Sequence, residues 1–215
     1  MAKISASILA CNQMYVGSQV LEAQKAGIDY LHVDITDGVY VENLTFGPQF
    51  IADLKKISKV PISIHLELIH PESFFPMFLN AGADIITFQL DACPNPIHFL
   101  RRIRAAGLKA GIGIGPSYDI QRLPYLLPHI DLVNLMSVEP GFGGQPFESS
   151  IYHKLCKARD LISRAGYPIS IAVDGAVNEK NAPSLIQAGA DILISGSYLF
   201  QTENITAQVH KLKQL

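Results

Sequence analysis

Short apolar runs rich in β-branched residues alternate along the chain with helix-like stretches, and glycine marks the change from one to the other. The phrase Lys25-Ala-Gly-Ile-Asp is repeated, with variation, at 80–84, 105–109, 164–168 and 187–191. In each copy a helix-like stretch precedes the glycine, and an apolar run follows within a few residues. Because glycine just past a helix end supplies the left-handed residue that stops the helix, the phrase predicts a recurring helix-to-strand joint.

Between these joints the pattern predicts eight strands, each followed by a helical stretch. The strands are predicted at Ile4–Leu9, Tyr30–Ile35, Ile62–Leu66, Ile85–Gln89, Ala110–Ile114, Leu132–Met136, Ile169–Val173 and Ile192–Ser195. The clearest helices are predicted at Val16–Ala26, Gln49–Ile57, Glu72–Asn80, Ile97–Ala106 and Ser149–Ala165. Strict β/α alternation implies a parallel sheet, because parallel strands need long crossover connections.

Eight such units in 215 residues predict a fold of the α/β class, a single (β/α)8 TIM barrel spanning residues 1–215. An open doubly wound sheet is the alternative. That fold normally carries a glycine-rich fingerprint after its first strand, whereas here the turn reads Ala10-Cys11-Asn12-Gln13. The closed barrel is therefore favoured.

Composition narrows the class of protein without changing the predicted fold. An apolar content of 48% indicates a globular protein, and a formal charge of −2 gives no reason to expect nucleic acid or an anionic membrane as a partner. No apolar run approaches the roughly 20 residues of a membrane helix. The first residues run into a strand-like segment without an apolar leader, so a cytoplasmic protein is expected. The three cysteines (Cys11, Cys93, Cys156) are widely spaced and odd in number, which disfavours a disulfide framework.

Alternate residues of a strand face opposite sides of a sheet, so each predicted strand divides into an outward and an inward set. In the second strand Leu31, Val33 and Ile35 are expected to pack on helices, while His32 and Asp34 face the barrel axis. The other predicted inward residues are Ser5, Ser7, Ser63, His65, Glu67, Thr87, Gln89, Asn134, Met136, Ala172 and Asp174. This set is polar for a barrel interior, and buried polar groups cost free energy unless they are paired or bound to a ligand.

Two histidines and two aspartates of the inward set lie near the C-terminal ends of their strands, the face where (β/α)8 enzymes keep their active sites. These residues, His32, Asp34, His65 and Asp174, form a candidate site for Zn²⁺, Mn²⁺ or Fe²⁺. A single strand-end histidine is more often structural. Four metal-ligand side chains on one predicted face favour a metal site.

Glycine-containing loops follow the last three predicted strands. They contain Gly141-Phe142-Gly143-Gly144, Asp174-Gly175-Ala176-Val177 and Ser195-Gly196-Ser197. Backbone N–H groups at glycines before a helix bind anions, and the loops after strands seven and eight are the usual phosphate site of this fold. Tight turns would explain any one of the loops, but three on one rim favour a phosphorylated substrate.

Seven motifs spread over nearly the whole chain resemble those of the ribulose-phosphate 3-epimerase family. They are Ser5-Ala-Ser-Ile-Leu, His32-Val-Asp-Ile-Thr-Asp-Gly, Asn43-Leu-Thr-Phe-Gly-Pro, Ile64-His-Leu, Met136-Ser-Val-Glu-Pro-Gly-Phe-Gly-Gly-Gln, Val173-Asp-Gly and Ser195-Gly-Ser. The resemblance implies a ribulose-phosphate-binding barrel in which His32, Asp34, His65 and Asp174 bind a divalent metal (Zn, Mn, Fe or Co). It also implies that Asp34 and Asp174 are the catalytic acid and base.

The same resemblance implies a substrate-binding set and a reaction. The expected substrate-binding residues are Ser7, His65, Met136, Gly141, Phe142, Gly143, Gly144, Gly175, Ala176, Gly196 and Ser197, together with Glu67, which joins the set for its inward position and not from the resemblance. The expected reaction is 3-epimerisation of a ketose phosphate, D-ribulose 5-phosphate to D-xylulose 5-phosphate. Two bases on opposite sides of C3 exchange its proton, a metal stabilises the enediolate charge, and no organic cofactor is required. A homo-oligomer is expected, although no sequence feature identifies its interface.

Several positions depart from the family pattern, which usually has methionine at Thr36 and Glu67, histidine at Gln89, asparagine at Gly115 and a second glycine at Ala176. Glu67 is the most consequential. If Glu67 faces the cavity, it is an extra metal ligand, a hydrogen-bond partner of a sugar hydroxyl, or a base that contacts the metal ligands rather than the metal. The alternative is that its side chain turns outward into solvent. These changes leave open another ketose phosphate, such as allulose 6-phosphate or a tetrulose phosphate.

Other functions on the same fold are less well supported by the residues. A Schiff-base aldolase needs an inward lysine, and no predicted strand end has one. Related sugar-phosphate decarboxylases carry an Asp-x-Lys-x-x-Asp motif, whereas Asp34-Ile-Thr-Asp lacks the lysine. A non-catalytic phosphosugar-binding protein remains the alternative from a different class; it predicts ligand binding without exchange of a substrate proton.

Overall fold

A computed structural model describes residues 2–215 and contains a closed barrel of eight parallel strands. The strands are β1 Lys3–Ser7, β2 Tyr30–Thr36, β3 Ile62–Glu67, β4 Ile85–Gln89, β5 Lys109–Ile114, β6 Leu132–Met136, β7 Ser170–Asp174 and β8 Ile192–Ser195. Each strand pairs with the next in sequence, and β8 pairs with β1 to close the sheet. The predicted (β/α)8 class is confirmed, and the open-sheet alternative is wrong.

Helices connect successive strands around the outside of the barrel. They are α1 Val16–Lys25, α2 Pro48–Ile57, α3 Pro71–Leu79, α4 Pro96–Ala105, α5 Leu123–Leu126, α6 Ile151–Ala165, α7 Ala182–Ala188, α8 Ser197–Phe200 and α9 Ile205–Lys213. The five helices predicted from sequence agree within two residues at each end. Several helices begin with proline at the first position, where its fixed φ suits a helix and no N–H is needed.

Several predicted strand boundaries differ from the structure by one residue and the end of the first strand by two; in two cases the predicted strand extends beyond the observed one. The first strand ends at Ser7 rather than Leu9, because Ile8–Ala10 forms a 3-10 turn closed by the Cys11 N–H bond to the Ile8 carbonyl. The seventh strand begins at Ser170 rather than Ile169, whose N–H bonds locally to the Tyr167 carbonyl. In both cases a local backbone bond takes the place of the sheet hydrogen bond that apolar character alone predicts.

Aspartates at the helix-to-strand joints tie the lower end of the barrel together. Asp29, Asp84, Asp131 and Asp191 precede β2, β4, β6 and β8. Each accepts, through its carboxylate, a backbone N–H at the start of the preceding strand at 2.7–2.9 Å, and donates its own N–H to the carbonyl of that same residue at 2.8 Å. The bonded strand residues are Ile4, Ile62, Ala110 and Ile171. Three of these aspartates (Asp29, Asp84 and Asp191) end copies of the Ala-Gly-x-Asp phrase, and Asp131 makes the same link without it; each joins neighbouring strands.

The barrel interior has an apolar floor and a polar upper part. Ile85, Leu132, Ala172, Ile192 and Ile194 form a small buried cluster separate from the main core. The outward strand residues pack in the main core with the helices. The polar residues predicted to face inward are all buried, as are the outward ones. The separation of the inward apolar cluster from the main core is what confirms the division of the strands by side-chain alternation.

Among residues 2–215, no helix is both long enough and apolar enough to cross a membrane. The three cysteines, all within the described residues, are free thiols; Cys11 and Cys93 are buried and Cys156 is exposed.

Candidate active site and metal centre

The C-terminal ends of the strands open into a cavity of about 480 Å³. The strands contribute Ser7, Asp34, Glu67, Met136 and Asp174 to its lining. The loops contribute Gly141, Phe142, Gly143, Gly144, Gly175, Ala176, Gly196 and Ser197. Of the predicted substrate-binding residues, His65 alone is absent from the lining, because it is fully buried beneath the cavity. With Ile194 of β8 and with Leu9 and Ala10 after β1, the fold brings residues of six strands and four loops to one surface.

The four predicted metal-binding side chains meet at the bottom of this cavity. One ligand atom from each of His32, Asp34, His65 and Asp174 lies within 4.8 Å of all the others. His32 Nε2 is 2.9 Å from Asp34 Oδ1 and 3.2 Å from Asp174 Oδ2. His65 Nδ1 is 3.4 Å from Asp34 Oδ1 and 3.8 Å from Asp174 Oδ2. Two imidazole nitrogens and two carboxylate oxygens therefore converge on one point.

The register of the sheet explains this convergence. Residues two apart on a strand share a face, so β2 presents both His32 and Asp34 inward. Asp34 pairs with His65 across β2 and β3. Asp174 enters from β7, which is three strands from β2 by way of β1 and β8. The two aspartates consequently approach the centre from different sides of the barrel.

The electrostatics of the cluster favour a positive charge at its centre. Burial by itself lowers the pKa of His32, but the adjacent Asp34 and Asp174 carboxylates outweigh that effect and raise it well above its usual value. Burial by itself raises the pKa of Asp34, but contacts with His32 and His65 hold it well below its usual range. A divalent cation at the same point would satisfy both carboxylates without a proton on the imidazole, and mixed nitrogen and oxygen donors suit Zn²⁺, Mn²⁺ or Fe²⁺. The residues present therefore fit a metal ion.

Neighbouring polar groups orient the two aspartates. The Ser7 hydroxyl donates to Asp34 Oδ2 at 3.0 Å, and the Asn134 amide donates to Asp174 Oδ2 at 3.1 Å. Asn134 Nδ2 also lies 3.5 Å from His65 Nδ1. Asn134 was expected to face inward but was not among the predicted site residues. Its contacts depend on β6 and β7 being neighbours, which no single-strand pattern reveals.

Two glycines of β5 make room for the cluster. A Cβ atom at Gly113 would lie 2.6 Å from His65 Nε2, and one at Gly111 would lie 2.4 Å from Thr87 Oγ1. Both positions face inward beside β4, opposite Gln89 and Thr87 respectively. The inward positions of β5 are glycines, so no side-chain pattern in the sequence singles them out. The bare backbone of β5 is what accommodates the imidazole of His65.

The three glycine loops border the cavity on the side of β6, β7 and β8. Gly141 is held close to the loop after β2, since its carbonyl accepts the Asn43 side-chain amide at 2.7 Å. Ala176 adopts a left-handed conformation, with φ of 50°, which L-residues other than glycine, asparagine and aspartate rarely adopt. Its carbonyl accepts the amide groups of Asn178 and Asn181, each at 3.0 Å. These contacts hold the loop after β7 in its turn.

Glu67 lines the cavity and is 1% exposed, so its expected inward position is confirmed and the alternative that it turns outward into solvent is wrong. Strand alternation puts it on the same face as His65, and its Oε1 lies 3.8 Å from His65 Nδ1. Its Oε2 has no hydrogen-bond partner among the described residues. Burial, together with the charges of Asp34 and Asp174, raises the pKa of Glu67 well above its usual value.

Two other departures from the family pattern, Gln89 and Thr36, contact residues of the site. The Gln89 amide donates to Met136 Sδ at 2.7 Å. Thr36 receives the Thr45 side chain, whose hydroxyl lies 3.3 Å from Thr36 Oγ1 and donates to the Asp34 carbonyl at 2.6 Å. The Thr45 hydroxyl thereby holds the backbone of Asp34 in place.

Comparison with known protein families identifies relatives across most of the chain. Residues 3–200 match the model of the "Ribulose-phosphate 3 epimerase family". The chain is 35% identical to the ribulose-phosphate 3-epimerase of Bacillus subtilis (strain 168), over 93% of each chain. It is 37% identical to the chloroplastic ribulose-5-phosphate-3-epimerase of Arabidopsis thaliana, over 98% of this chain and 75% of that one. It is 33% identical to the ribulose-phosphate 3-epimerase of Methanocaldococcus jannaschii, over 100% of this chain and 91% of that one.

Solved structures with the same architecture are more distant in sequence. A mutant tryptophan synthase α-subunit from Pyrococcus furiosus matches with a TM-score of 0.74 at 16% identity, covering 100% of this chain and 98% of that one. A 3-hexulose-6-phosphate synthase matches with a TM-score of 0.70 at 15% identity, covering 99% and 98%. At such identities the likeness supports the fold alone.

Proposed function

This chain belongs to the ribulose-phosphate 3-epimerase family and is an isomerase acting on carbohydrates, and from that premise we propose that it interconverts D-ribulose 5-phosphate and D-xylulose 5-phosphate. The proposal includes the metal-binding and catalytic roles of individual residues. The observation that carries it is the arrangement of Asp34 and Asp174, which both line one cavity while His32 and His65 lie buried beneath it.

Inverting a carbon next to a carbonyl requires one group to remove its proton and a second group to return a proton to the opposite face. Asp34 and Asp174 meet this requirement because they come from different sides of the barrel and both reach the cavity. In our proposal one aspartate takes the C3 proton and the other returns one. Ser7 and Asn134 each donate to one of these carboxylates and hold it in place.

We propose that His32, Asp34, His65 and Asp174 hold a divalent metal ion, supported by the convergence of their donor atoms within 4.8 Å. A metal bound there would supply Lewis-acid stabilisation of the negative charge that develops on the substrate oxygens when the C3 proton leaves. The buried histidines keep water away from the lower side of the site. The identity of the metal is a matter for elemental analysis of the purified protein.

We assign the substrate phosphate to the glycine loops after β6, β7 and β8. Support comes from their position on one side of the cavity and from the backbone N–H groups that glycine leaves accessible. A phosphate held there would place the carbon chain over Asp34 and Asp174. The substrate therefore lies across the mouth of the barrel with its phosphorylated end toward these loops.

The proposal is tested by proton exchange at C3 in D₂O, followed by NMR for each of the two pentulose phosphates. Asp34→Asn and Asp174→Asn should each lower epimerisation by about 10²- to 10⁴-fold, the usual contribution of a positioned acid or base. Because the aspartates serve opposite faces, each variant should retain exchange of one epimer only, and the two patterns should be complementary. Metal content is measured in every variant, since both residues are also proposed ligands.

The matched control is Asp53→Asn, which alters an exposed carboxylate paired with Lys56 on α2. It should exchange both epimers at the wild-type rate. Full activity of Asp174→Asn would contradict the two-base assignment. Binding of both sugars without any C3 exchange in the metal-loaded wild type would favour a non-catalytic phosphosugar-binding protein instead.

A further inference from the structure

Glu67 differs from the other buried polar residues of the barrel in one respect. The described side chains with a buried nitrogen or oxygen that lacks a protein partner are His32, His65, Glu67, Glu72, Thr87, Gln89, Asn134 and Gln208. Glu67 is the one member of this set that also lines the cavity. A buried carboxylate oxygen without a partner costs free energy, so a group that enters the cavity is its natural partner.

The position of Glu67 shows which part of a bound molecule it meets. Glu67 ends β3, and β3 lies opposite β7 in the closed eight-stranded barrel. The glycine loops that border the cavity follow β6, β7 and β8. The loop after β6 also approaches β3, because the Gly141 backbone lies within hydrogen-bonding range of the Glu67 carboxylate. A molecule with its phosphate against the glycine loops and its carbon chain directed toward β3 would bring its unphosphorylated end to Glu67.

The geometry sets Glu67 apart from the proposed metal ligands. The four donor atoms that lie within 4.8 Å of one another do not include an oxygen of Glu67. Its Oε1 stands at the edge of the group, 3.8 Å from His65 Nδ1, while Oε2 has no protein partner. Oε2 is therefore a buried, unsatisfied acceptor on a residue that lines the cavity, and a hydrogen bond from a bound molecule would satisfy it.

We propose that Glu67 is a specificity-determining residue whose Oε2 accepts a hydrogen bond from the C1 hydroxyl of a ketose phosphate. This inference rests on the proposed function for the orientation of the sugar. It defines the preferred substrates as ketose phosphates with a free hydroxyl on C1, and it disfavours 1-deoxyketose phosphates. Loss of that hydroxyl leaves the carboxylate buried and unpaired, and such sites discriminate strongly against the analogue that lacks the group.

The experiment compares D-xylulose 5-phosphate with 1-deoxy-D-xylulose 5-phosphate, using C3 proton exchange in D₂O and calorimetric binding with the metal-loaded protein. The wild type should favour the hydroxylated sugar by about 100-fold in kcat/KM, the range expected when a buried acceptor is left without its hydrogen bond. Glu67→Met should lose about 100-fold on the hydroxylated sugar and less than about 3-fold on the deoxy sugar. Glu67→Gln, which keeps an acceptor oxygen, should fall between these two proteins.

Glu139→Gln is the control, because it removes an exposed carboxylate that lines the same cavity; it should preserve the wild-type preference. The inference is overturned if the wild type treats both sugars alike, if neither sugar binds, or if Glu67→Met loses equally on both. A fall in metal content that parallels the loss in Glu67→Met would also overturn it, in favour of a ligand role. If neither sugar shows exchange but binding still discriminates through Glu67, the proposed epimerisation fails while this inference stands.

Discussion

Gly113 offers a direct test of whether His65 must occupy its observed position. Adding a methyl group by Gly113→Ala would put a carbon 2.6 Å from His65 Nε2 and 3.1 Å from Gln89 Oε1. Non-bonded carbon atoms prefer separations of about 3.5–4.0 Å, so the imidazole or the strand must move by roughly 1 Å. His65 is fully buried, and it cannot retreat into solvent.

The size of the effect follows from this overlap. Overpacking a core by one methyl group typically costs about 1–3 kcal/mol, which corresponds to a fall in Tm of roughly 2–10 °C for a chain of this length. Displacement of the imidazole should lower metal affinity by about 10- to 100-fold, as changes around metal ligands usually do. A shift near 1 Å should also reduce kcat by about 10²-fold.

Gly111→Ala separates loss of stability from loss of the site. Its added carbon would lie 2.4 Å from Thr87 Oγ1 and 3.4 Å from Leu132 Cβ, with no proposed ligand among its contacts. We expect a similar fall in Tm but near-normal metal affinity per folded molecule. Metal titration, thermal unfolding and C3 proton exchange are measured on both variants.

Two results would refute the reasoning about β5. One is a Gly113→Ala protein with wild-type metal affinity and turnover, which would mean that the position of His65 is adaptable. The other is equal loss of metal affinity in Gly111→Ala, which would mean that any distortion of the strand disrupts the site. Either outcome would show that the bare inward face of β5 has no specific relation to the metal centre.

The remaining predictions concern the loops, the lower end of the barrel and the metal. Ala176→Gly should raise Tm, because a left-handed φ of 50° costs an alanine about 1 kcal/mol; a lower Tm in thermal unfolding would contradict this. Asn43→Ala removes the bond to the Gly141 carbonyl and should raise KM by about 5- to 10-fold with little change in kcat, so an unchanged KM in steady-state kinetics would count against that link. Asp84→Ala breaks the bond to the Ile62 N–H and should lower stability by about 1 kcal/mol in denaturant titrations, without altering kinetic constants. A chelator should abolish exchange and lower Tm, with readdition of metal restoring both; at a free metal concentration 100 times Kd, binding contributes about 2.7 kcal/mol.

Much of the candidate site followed from one-dimensional patterns. Side-chain alternation along a strand has a period of two whatever surrounds the strand, so His32 and Asp34 were correctly predicted to share a face. Parallel strands of a barrel all end at one rim, and this is why His65 and Asp174 were expected beside them. The match to the family's motifs added roles for these residues that alternation alone does not supply.

Other features depended on which strands become neighbours. Asn134 was assigned to the interior, but its bonds to Asp174 arise only because β6 lies next to β7. Gly113 carries no polar atom that a sequence pattern could single out, and its importance comes from the imidazole that β3 places against it. Such contacts link residues far apart in the chain.

Glu67 most clearly separates what the sequence determines from what the tertiary structure decides. Its place on a strand beside His65 is a local property, and the sequence alone determined that it belongs to the inward set. Whether it reached solvent, joined the metal ligands or faced the cavity alone depended on how eight strands close around it. The tertiary structure decided this, because closure of the barrel buries Glu67 to 1% exposure and leaves its Oε2 without a protein partner.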